Sequence, residues 1–212
     1  MIRGFVSDLD GVVVNSENIA YEVLRKYAAE LGYVLTERDY SKFIGKKRSE
    51  SERIAREELG IPFNRDYSAE IGRRLLIAYE DVRLNDGYIQ LLDLLSSRRI
   101  RIALASISSE TLIEKKLQTV GLMQRFEAIV SAQETGNKVV AYLQAVKAID
   151  LLPKDCFALE DSPSGARAAK DAGLYCVVVP NRFQSDSDFT VADEVHSSIP
   201  EFLSNGQILR RI

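Results

Sequence analysis

The feature of this sequence that most constrains its fold is the alternation of short apolar runs with amphipathic helical patterns. The apolar runs predict strands at residues 4–7, 100–105, 128–130, 156–159 and 175–179. The patterns between them predict helices at residues 88–97, 109–120, 139–149 and 164–172. Strands that alternate with helices in this way are typical of an α/β fold with a largely parallel sheet.

One long stretch, residues 16–83, departs from this alternation and shows helical periodicity without any strand pattern. A crossover between parallel strands needs only about a dozen residues or somewhat more, so this block is too long to be a single crossover. We therefore predict a helical cap domain at residues 16–83, inserted into a core formed by residues 1–15 and 84–212. The predicted fold class is an α/β, Rossmann-like parallel-sheet core with an inserted α-helical cap domain.

The bulk properties of the chain exclude several functional classes. The net charge of −3 is spread along the 212 residues, so we expect no nucleic-acid partner. No apolar run approaches the roughly 20 residues that span a bilayer, and the N-terminal residues lack a signal-peptide pattern. Cys156 and Cys176 lie in strand-like runs as expected for buried free thiols, which favours a cytoplasmic location. The single histidine, His196, excludes a histidine-based triad. We expect a small-molecule ligand and a monomer or weak dimer.

Two carboxylates follow the first predicted strand, in the segment FVSDLDGVVV at residues 5–14. Ligands of open parallel sheets bind beyond the carboxyl ends of the strands, which is where Asp8 and Asp10 fall. Carboxylates this close repel each other unless a cation or a proton lies between them, and magnesium prefers oxygen ligands. The alternative interpretation is a solvated acidic turn.

A second acidic strand end lies in the segment CFALEDSPSG at residues 156–165, which carries Glu160 and Asp161. Two acidic strand ends in one parallel sheet would concentrate negative charge at one place, which is costly without a bound cation. The two segments together therefore favour a metal site more than either does alone.

Two further residues are candidates for binding an anion. Ser106 ends the strand IALAS at residues 102–106, and a hydroxyl beside a helix N-terminus can bind an anion, although Ser108 and Ser109 are equally well explained as helix caps. Lys138 precedes the helix at residues 139–149 and could hold a phosphate as a point charge. The alternative for Lys138 is a surface lysine at a helix start.

These segments resemble the haloacid dehalogenase superfamily of phosphohydrolases, in the branch that contains β-phosphoglucomutase and small sugar-phosphate phosphatases. The resemblance is carried by DLDGVV at residues 8–13, IALAS at residues 102–106 and EDSPSGARAAKDAG at residues 160–173. It implies Mg²⁺ as the cofactor, a small phosphate ester as the substrate and a cap that closes over the site.

The resemblance also implies residue roles. Asp8 matches the nucleophile that attacks phosphorus, and Asp10 matches the general acid/base. The implied metal ligands are Asp8, the backbone carbonyl of Asp10, and Asp161 with Glu160 beside it.

Further matches concern the phosphate and the cap. Ser106 and Lys138 match the groups that hold the transferring phosphoryl, although Val139 follows Lys138 where the family usually has proline. In the cap, Arg48 falls where the mutase branch places a phosphate-contacting arginine, and Lys47 lies beside it. The alternative there is a solvated basic turn.

The choice among activities rests on single positions. The related mutases carry a histidine where Ala20 stands here, so a phosphatase is favoured over a phosphomutase. A dehalogenase would lack Asp10 and Asp161, and a phosphonate hydrolase would require Lys46 or Lys47 as a Schiff-base lysine. A non-catalytic binding module on the same fold is the remaining alternative.

Overall fold

A computed structural model of the protein describes residues 2–46, 48–62 and 67–212, without the side chains of Arg48, Tyr67 and Ser68. In these ranges the sheet has the strand order β3-β2-β1-β4-β5-β6, and every neighbouring pair is parallel. The strands are β1 Gly4–Ser7, β2 Arg101–Ser106, β3 Ala128–Ser131, β4 Cys156–Glu160, β5 Tyr175–Val178 and β6 Glu194–Val195. The parallel order places β1 in the interior of the sheet.

Helices cover both faces of the sheet, as an all-parallel sheet requires. These core helices are α5 Tyr88–Ser97, α6 Glu110–Thr119, α7 Lys138–Ala148, α8 Pro163–Asp171 and α9 Ile199–Asn205. Successive strand residues point to opposite faces: Phe5 joins the apolar cluster formed with α5, α6 and α9, whereas Val6 joins the cluster formed with α7 and α8.

The inserted segment is helical over its described residues. Its helices are α1 Ser16–Glu30, α2 Glu37–Ser41, α3 Arg48–Arg53 and α4 Tyr67–Ala78, with a π-helical turn at Ile54–Glu58 after α3. They enclose a separate apolar cluster that includes Tyr21, Leu24, Tyr40 and Ile54. This arrangement confirms the predicted fold class.

The two linkers of the insert lie side by side. Val14 forms an isolated bridge with Leu84, and the Asn15 N–H donates to the Arg83 carbonyl at 3.0 Å. The Asn15 side chain in turn accepts from the Arg83 N–H at 3.0 Å. We expect a core of residues 1–15 and 84–212 and a cap of residues 16–83. The expected junctions lie where the two linkers meet, and these domain bounds stay a prediction.

Sequence patterns missed the last two elements of the fold. β6 has only two residues, too few to produce a recognisable alternation, and α9 is a seven-residue helix. The predicted buried free thiols are confirmed, because Cys156 and Cys176 are both free and fully buried. No helix in the described ranges combines the length and the apolar character needed to cross a membrane.

Candidate active site

The acidic residues predicted at the strand ends come together in the structure. Asp8 directly follows β1, and its N–H donates to the Leu159 carbonyl of β4 at 3.1 Å. Glu160 ends β4 and Asp161 follows it. One carboxylate oxygen from each of Asp8, Glu160 and Asp161 lies within 4.8 Å of the others, and all three residues are buried. The parallel pairing of β1 with β4 therefore produces the predicted cluster.

The pKa values of two carboxyl groups in this cluster are raised, mainly by burial. Burial raises the pKa of Asp8 to about 7, although the ammonium of Lys138 opposes this shift. Burial and the neighbouring carboxylates of Asp8 and Glu160 hold the pKa of Asp161 well above its ordinary value. Three carboxylates in so small a volume favour a cation or a proton between them.

Lys138 supplies the ammonium closest to this cluster. It is the first residue of α7, where Asn137 caps the helix by accepting from the N–H groups of Val139 and Val140. Its Nζ contacts Asp8 Oδ1 and lies 3.5 Å from Glu160 Oε1. Although burial alone would lower the pKa of Lys138, the carboxylates of Asp8 and Glu160 raise it, so the lysine is charged. Lys138 thus lies beside the acidic cluster, and its role in holding a phosphate stays a prediction.

Asp10 lies in a second polar group with different partners. Its Oδ1 accepts from the Ser16 hydroxyl and from Lys116 Nζ, and its Oδ2 accepts from the Ser108 hydroxyl at 2.8 Å. Burial raises the pKa of Asp10, but the Lys116 ammonium and these hydrogen bonds outweigh it and lower the pKa below its ordinary value. Asp10 is therefore held as a carboxylate.

Ser106 ends β2 at the same edge of the sheet. Ser7, the last residue of β1, pairs with Leu104, so Ser106 lies two residues beyond the end of β1. The Ser106 side chain is buried. The Ser108 N–H donates to Ser106 Oγ at 3.0 Å. Of the two serines considered as caps, Ser109 caps α6 by accepting from the Leu112 N–H at 3.3 Å. Ser108 instead donates to Asp10.

Two glycines allow the carboxylates to pack this closely. Gly11 has φ +78°, and a Cβ there would come within 1.8 Å of Asp161 Oδ2. A Cβ at Gly165 would come within 2.0 Å of Glu160 Oε2. Any larger residue at either position would displace a carboxylate of the cluster.

Sequence reasoning missed three residues that contact the site. Lys116 is 1% exposed and lies 4.4 Å from the ring centroid of Tyr79. Tyr142 donates to Glu160 Oε1 at 2.6 Å, and Asn181 donates to Asp161 Oδ2 at 2.6 Å. A signal existed for Lys116, because it occupies an inward position between Ile113 and Leu117 on α6.

The cap residues predicted to contact substrate are described only in part. Lys47 lies outside the described residues, and Arg48 begins α3 without a described side chain. Lys46 forms an ion pair with Glu50 at 3.0 Å. The adjacent turn does approach the core, because a Cβ at Gly45 would come within 2.3 Å of Ser164 Oγ.

Two polar residues of the cap, Glu17 and Tyr40, form a pair near Asp10. The Tyr40 hydroxyl donates to Glu17 Oε2. Burial, followed by the negative charge of Asp10, raises the pKa of Glu17 to about 7. The cap thus presents a carboxyl and a phenol next to the predicted acid/base.

Comparisons with known proteins identify the family and the fold of this chain. The family described as haloacid dehalogenase-like hydrolase matches residues 5–179. The provisionally assigned phosphatase YhcW of Bacillus subtilis is 31% identical over 206 residues, which cover 95% of this chain and 94% of that protein.

Two solved structures have a similar fold. A variant of CbbY from Rhodobacter sphaeroides, in complex with xylulose-(1,5)-bisphosphate, has a TM-score of 0.83 at 25% identity, covering 95% of this chain and 96% of that one. β-Phosphoglucomutase from Clostridium difficile also has a TM-score of 0.83, at 22% identity, covering 100% of this chain and 96% of that one. At that identity the second likeness concerns the fold alone.

Proposed function

Since this chain belongs to the haloacid dehalogenase-like hydrolase family, we propose that it is a Mg²⁺-dependent phosphatase that hydrolyses a small phosphomonoester through an aspartyl-phosphate on Asp8. The observation that carries the proposal is the pairing of Asp8 with Lys138 beside Glu160 and Asp161 at the end of the central strands. The enzyme class, a phosphoric monoester hydrolase, is confirmed by the family and by the phosphatase name of its relative.

The residues present fit a divalent cation. Asp8, Glu160 and Asp161 offer carboxylate oxygens within 4.8 Å of one another, and the raised pKa values of Asp8 and Asp161 indicate uncompensated negative charge. Oxygen ligands of this kind are those that Mg²⁺ prefers. We assign Asp8, Asp161 and the backbone carbonyl of Asp10 as ligands, with Glu160 beside them. A bound Mg²⁺ would oppose the negative charge of the transferring phosphoryl group.

The proposed reaction has two steps on the residues of this chain. In the first, a carboxylate oxygen of Asp8 bonds to phosphorus, the ester bond breaks, and the leaving oxygen takes a proton from Asp10. In the second, water attacks phosphorus, gives its proton to Asp10 and releases inorganic phosphate, which restores Asp8. Lys138 and Ser106 would hold the phosphoryl oxygens, since phosphoryl transfer depends mainly on positioning and charge stabilisation.

Asp10 is held in the form needed for the second step. Its pKa is lowered through Lys116, Ser16 and Ser108, so it is a carboxylate that can accept a proton from water. The first step requires the protonated form. The negative charge of an arriving phosphate ester would raise the pKa of Asp10 and so favour that form.

We propose a sugar phosphate or similar metabolite as the substrate. The related CbbY structure holds a sugar bisphosphate, and the Glu17 carboxyl with the Tyr40 hydroxyl provides hydrogen-bonding groups for substrate hydroxyls. Arg48 and Lys47 remain the proposed phosphate contacts in the cap. We also propose a cytoplasmic location, in keeping with the two free buried thiols.

Phosphate release from p-nitrophenyl phosphate and a panel of sugar phosphates, with Mg²⁺ and with EDTA, tests the proposal. We expect release that requires Mg²⁺ and is fastest on one or two sugar phosphates. Turnover of a sugar monophosphate to its isomer, only with a bisphosphate primer, would instead establish the phosphomutase alternative. Absence of both activities would leave the binding module.

A further inference from the structure

A segment that follows β5 contacts both the acidic cluster and the cap. This segment, residues 181–184, is called here the bridging loop. Asn181 donates to Asp161 Oδ2 at 2.6 Å. Three residues later, Gln184 Nε2 donates to the Ser41 carbonyl, at the end of α2 in the cap, at 3.0 Å.

The two amide side chains of the bridging loop are fixed in orientation. Asn181 Oδ1 accepts from the Phe183 N–H at 2.9 Å, so its Nδ2 must face the Asp161 carboxylate. Gln184 Oε1 accepts from the Ser187 hydroxyl at 2.9 Å, so its Nε2 must face the cap. Each amide oxygen accepts from a group two or three residues further along the chain, and each amide nitrogen donates to a residue outside the loop.

Phe183 packs into the apolar cluster of the cap. Its ring centroid lies 4.9 Å from that of Tyr40, edge to face, and 5.4 Å from that of Tyr21. Aromatic pairs with this geometry are stabilising beyond the area that they bury. The exposed pair of Arg182 with Glu37, at 2.9 Å, adds a weaker contact to the same cap surface.

We propose that Asn181 is a positioning residue for Asp161, and that the bridging loop makes its position depend on the docked cap. The Phe183 N–H that orients Asn181 belongs to the residue whose ring contacts those of Tyr21 and Tyr40. Undocking the cap removes the support of Phe183 and frees the Asn181 amide, and with it the orientation of Asp161. The inference rests on the proposed function, because Asp161 is assigned there as a metal ligand.

The test measures Mg²⁺ affinity by isothermal titration calorimetry on the full chain without substrate, and then kcat and KM for phosphate release. We expect Asn181→Ala to weaken Mg²⁺ binding about tenfold, as partners that orient metal ligands commonly do. Excess Mg²⁺ should restore most of kcat, and KM for the substrate should change less than the Mg²⁺ requirement. Asn181→Ser is the second variant, since a serine hydroxyl can still accept from the Phe183 N–H but is too short to reach Asp161.

Phe183→Ala tests the link to the cap, and Ser185→Ala, at an exposed position directly after the bridging loop, is its matched control. We expect Phe183→Ala to weaken Mg²⁺ binding several-fold and Ser185→Ala to leave it within about twofold, because substitutions at exposed positions have small effects. The double variant Asn181→Ala with Phe183→Ala should lose less affinity than the product of the two single losses.

Three outcomes would count against the inference or its premise. Wild-type Mg²⁺ affinity in folded Asn181→Ala or Asn181→Ser would overturn the positioning role. A raised KM with unchanged Mg²⁺ affinity in Phe183→Ala would overturn the link to the cap. A wild-type chain that neither binds Mg²⁺ nor releases phosphate would overturn the proposed function itself, and the inference with it.

Discussion

Two lysine–aspartate pairs lie in this site, each with one buried and one partly buried member, and the same two residue types behave in opposite ways. In the pair of Asp8 with Lys138, burial and the nearby carboxylate of Glu160 leave the pKa of Asp8 raised to about 7. In the pair of Asp10 with Lys116, the ammonium and two serine hydroxyls outweigh burial and lower the pKa of Asp10. The surroundings of each pair, rather than the pair itself, therefore decide its protonation.

The comparison indicates a division of work. Asp8 lies where negative charge is in excess, which suits a residue that shares a cation with Asp161. Asp10 lies where hydrogen-bond donors are in excess, which suits a residue that exchanges a proton with a leaving group and with water. Single substitutions can break each pair separately.

Asp8→Asn should abolish turnover while leaving the fold intact. Loss of a nucleophile costs on the order of 10⁴ to 10⁶ in kcat. Because the raised pKa means that the ionised Asp8 opposes folding above neutral pH, the metal-free variant should melt no lower than the wild type at pH 8. Phosphate release and thermal melting check this, and near-full activity would refute the nucleophile assignment.

Asp10→Asn should reduce kcat by about 10² to 10⁴, the usual contribution of a general acid/base. Here the effect on stability should have the opposite sign from that of Asp8→Asn. The lowered pKa means that the Asp10 carboxylate stabilises the fold, and its loss leaves the Lys116 ammonium buried without its partner, which costs about 3–5 kcal/mol in comparable cases. Urea unfolding at pH 8 measures the difference, and a variant as stable as the wild type would contradict it.

Lys116→Met should move the alkaline limb of the kcat/KM profile to higher pH, because kcat/KM reports the first step, in which Asp10 must donate a proton. Removing the ammonium removes the main cause that lowers the pKa of Asp10, so Asp10 would be protonated at higher pH than in the wild type. The matched control is Lys115→Met, whose lysine is partly exposed and pairs with Glu80 at 3.3 Å. A pH profile that shifts equally in both variants would show that Lys116 does not act through Asp10.

Mg²⁺ should raise the melting temperature, and more so at pH 8 than at pH 5.5. The raised pKa of Asp8 means that its proton is retained on folding, so the metal-free protein loses stability as pH rises from about 4 towards 7. Mg²⁺ binds the ionised form and restores that stability. At a hundred times Kd the gain is about 2.7 kcal/mol, or roughly 5–10 °C for a chain of this size. An equal rise at both pH values would argue against carboxylate ligands.

The site residues that the sequence could predict are those whose position follows from the sequence pattern immediately around them. Asp8, Glu160, Asp161 and Ser106 each end an apolar strand pattern, and parallel pairing necessarily brings such ends to one edge. Lys138 was identified because Asn137 and a helical pattern surround it, and the structure places it on Asp8.

The parts that sequence could not predict depend on how helices and loops pack. The pattern of α6 places Lys116 on the inward face, but its contact with Asp10 depends on how α6 packs in the fold, where the ammonium also lies near the Tyr79 ring. Asn181 follows a strand in a polar segment, where nothing distinguishes it from a turn residue until its contact with Asp161 is seen. That Arg48 and Lys47 contact substrate stays a prediction.

The reactivity of the two buried thiols, Cys156 and Cys176, can report how often the core around them opens. Burial raises the pKa of Cys156 to about 12 and also raises that of Cys176, and a thiol must ionise to react. Both lie in the adjacent strands β4 and β5. Both thiols belong to the apolar cluster between the sheet and the helices α7 and α8. An alkylating reagent can therefore modify them only when this layer opens, so the labelling rate measures how often α7 and α8 move away from the sheet. Comparing that rate with and without Mg²⁺ would show how far a ligand at the strand ends keeps these helices packed on the sheet.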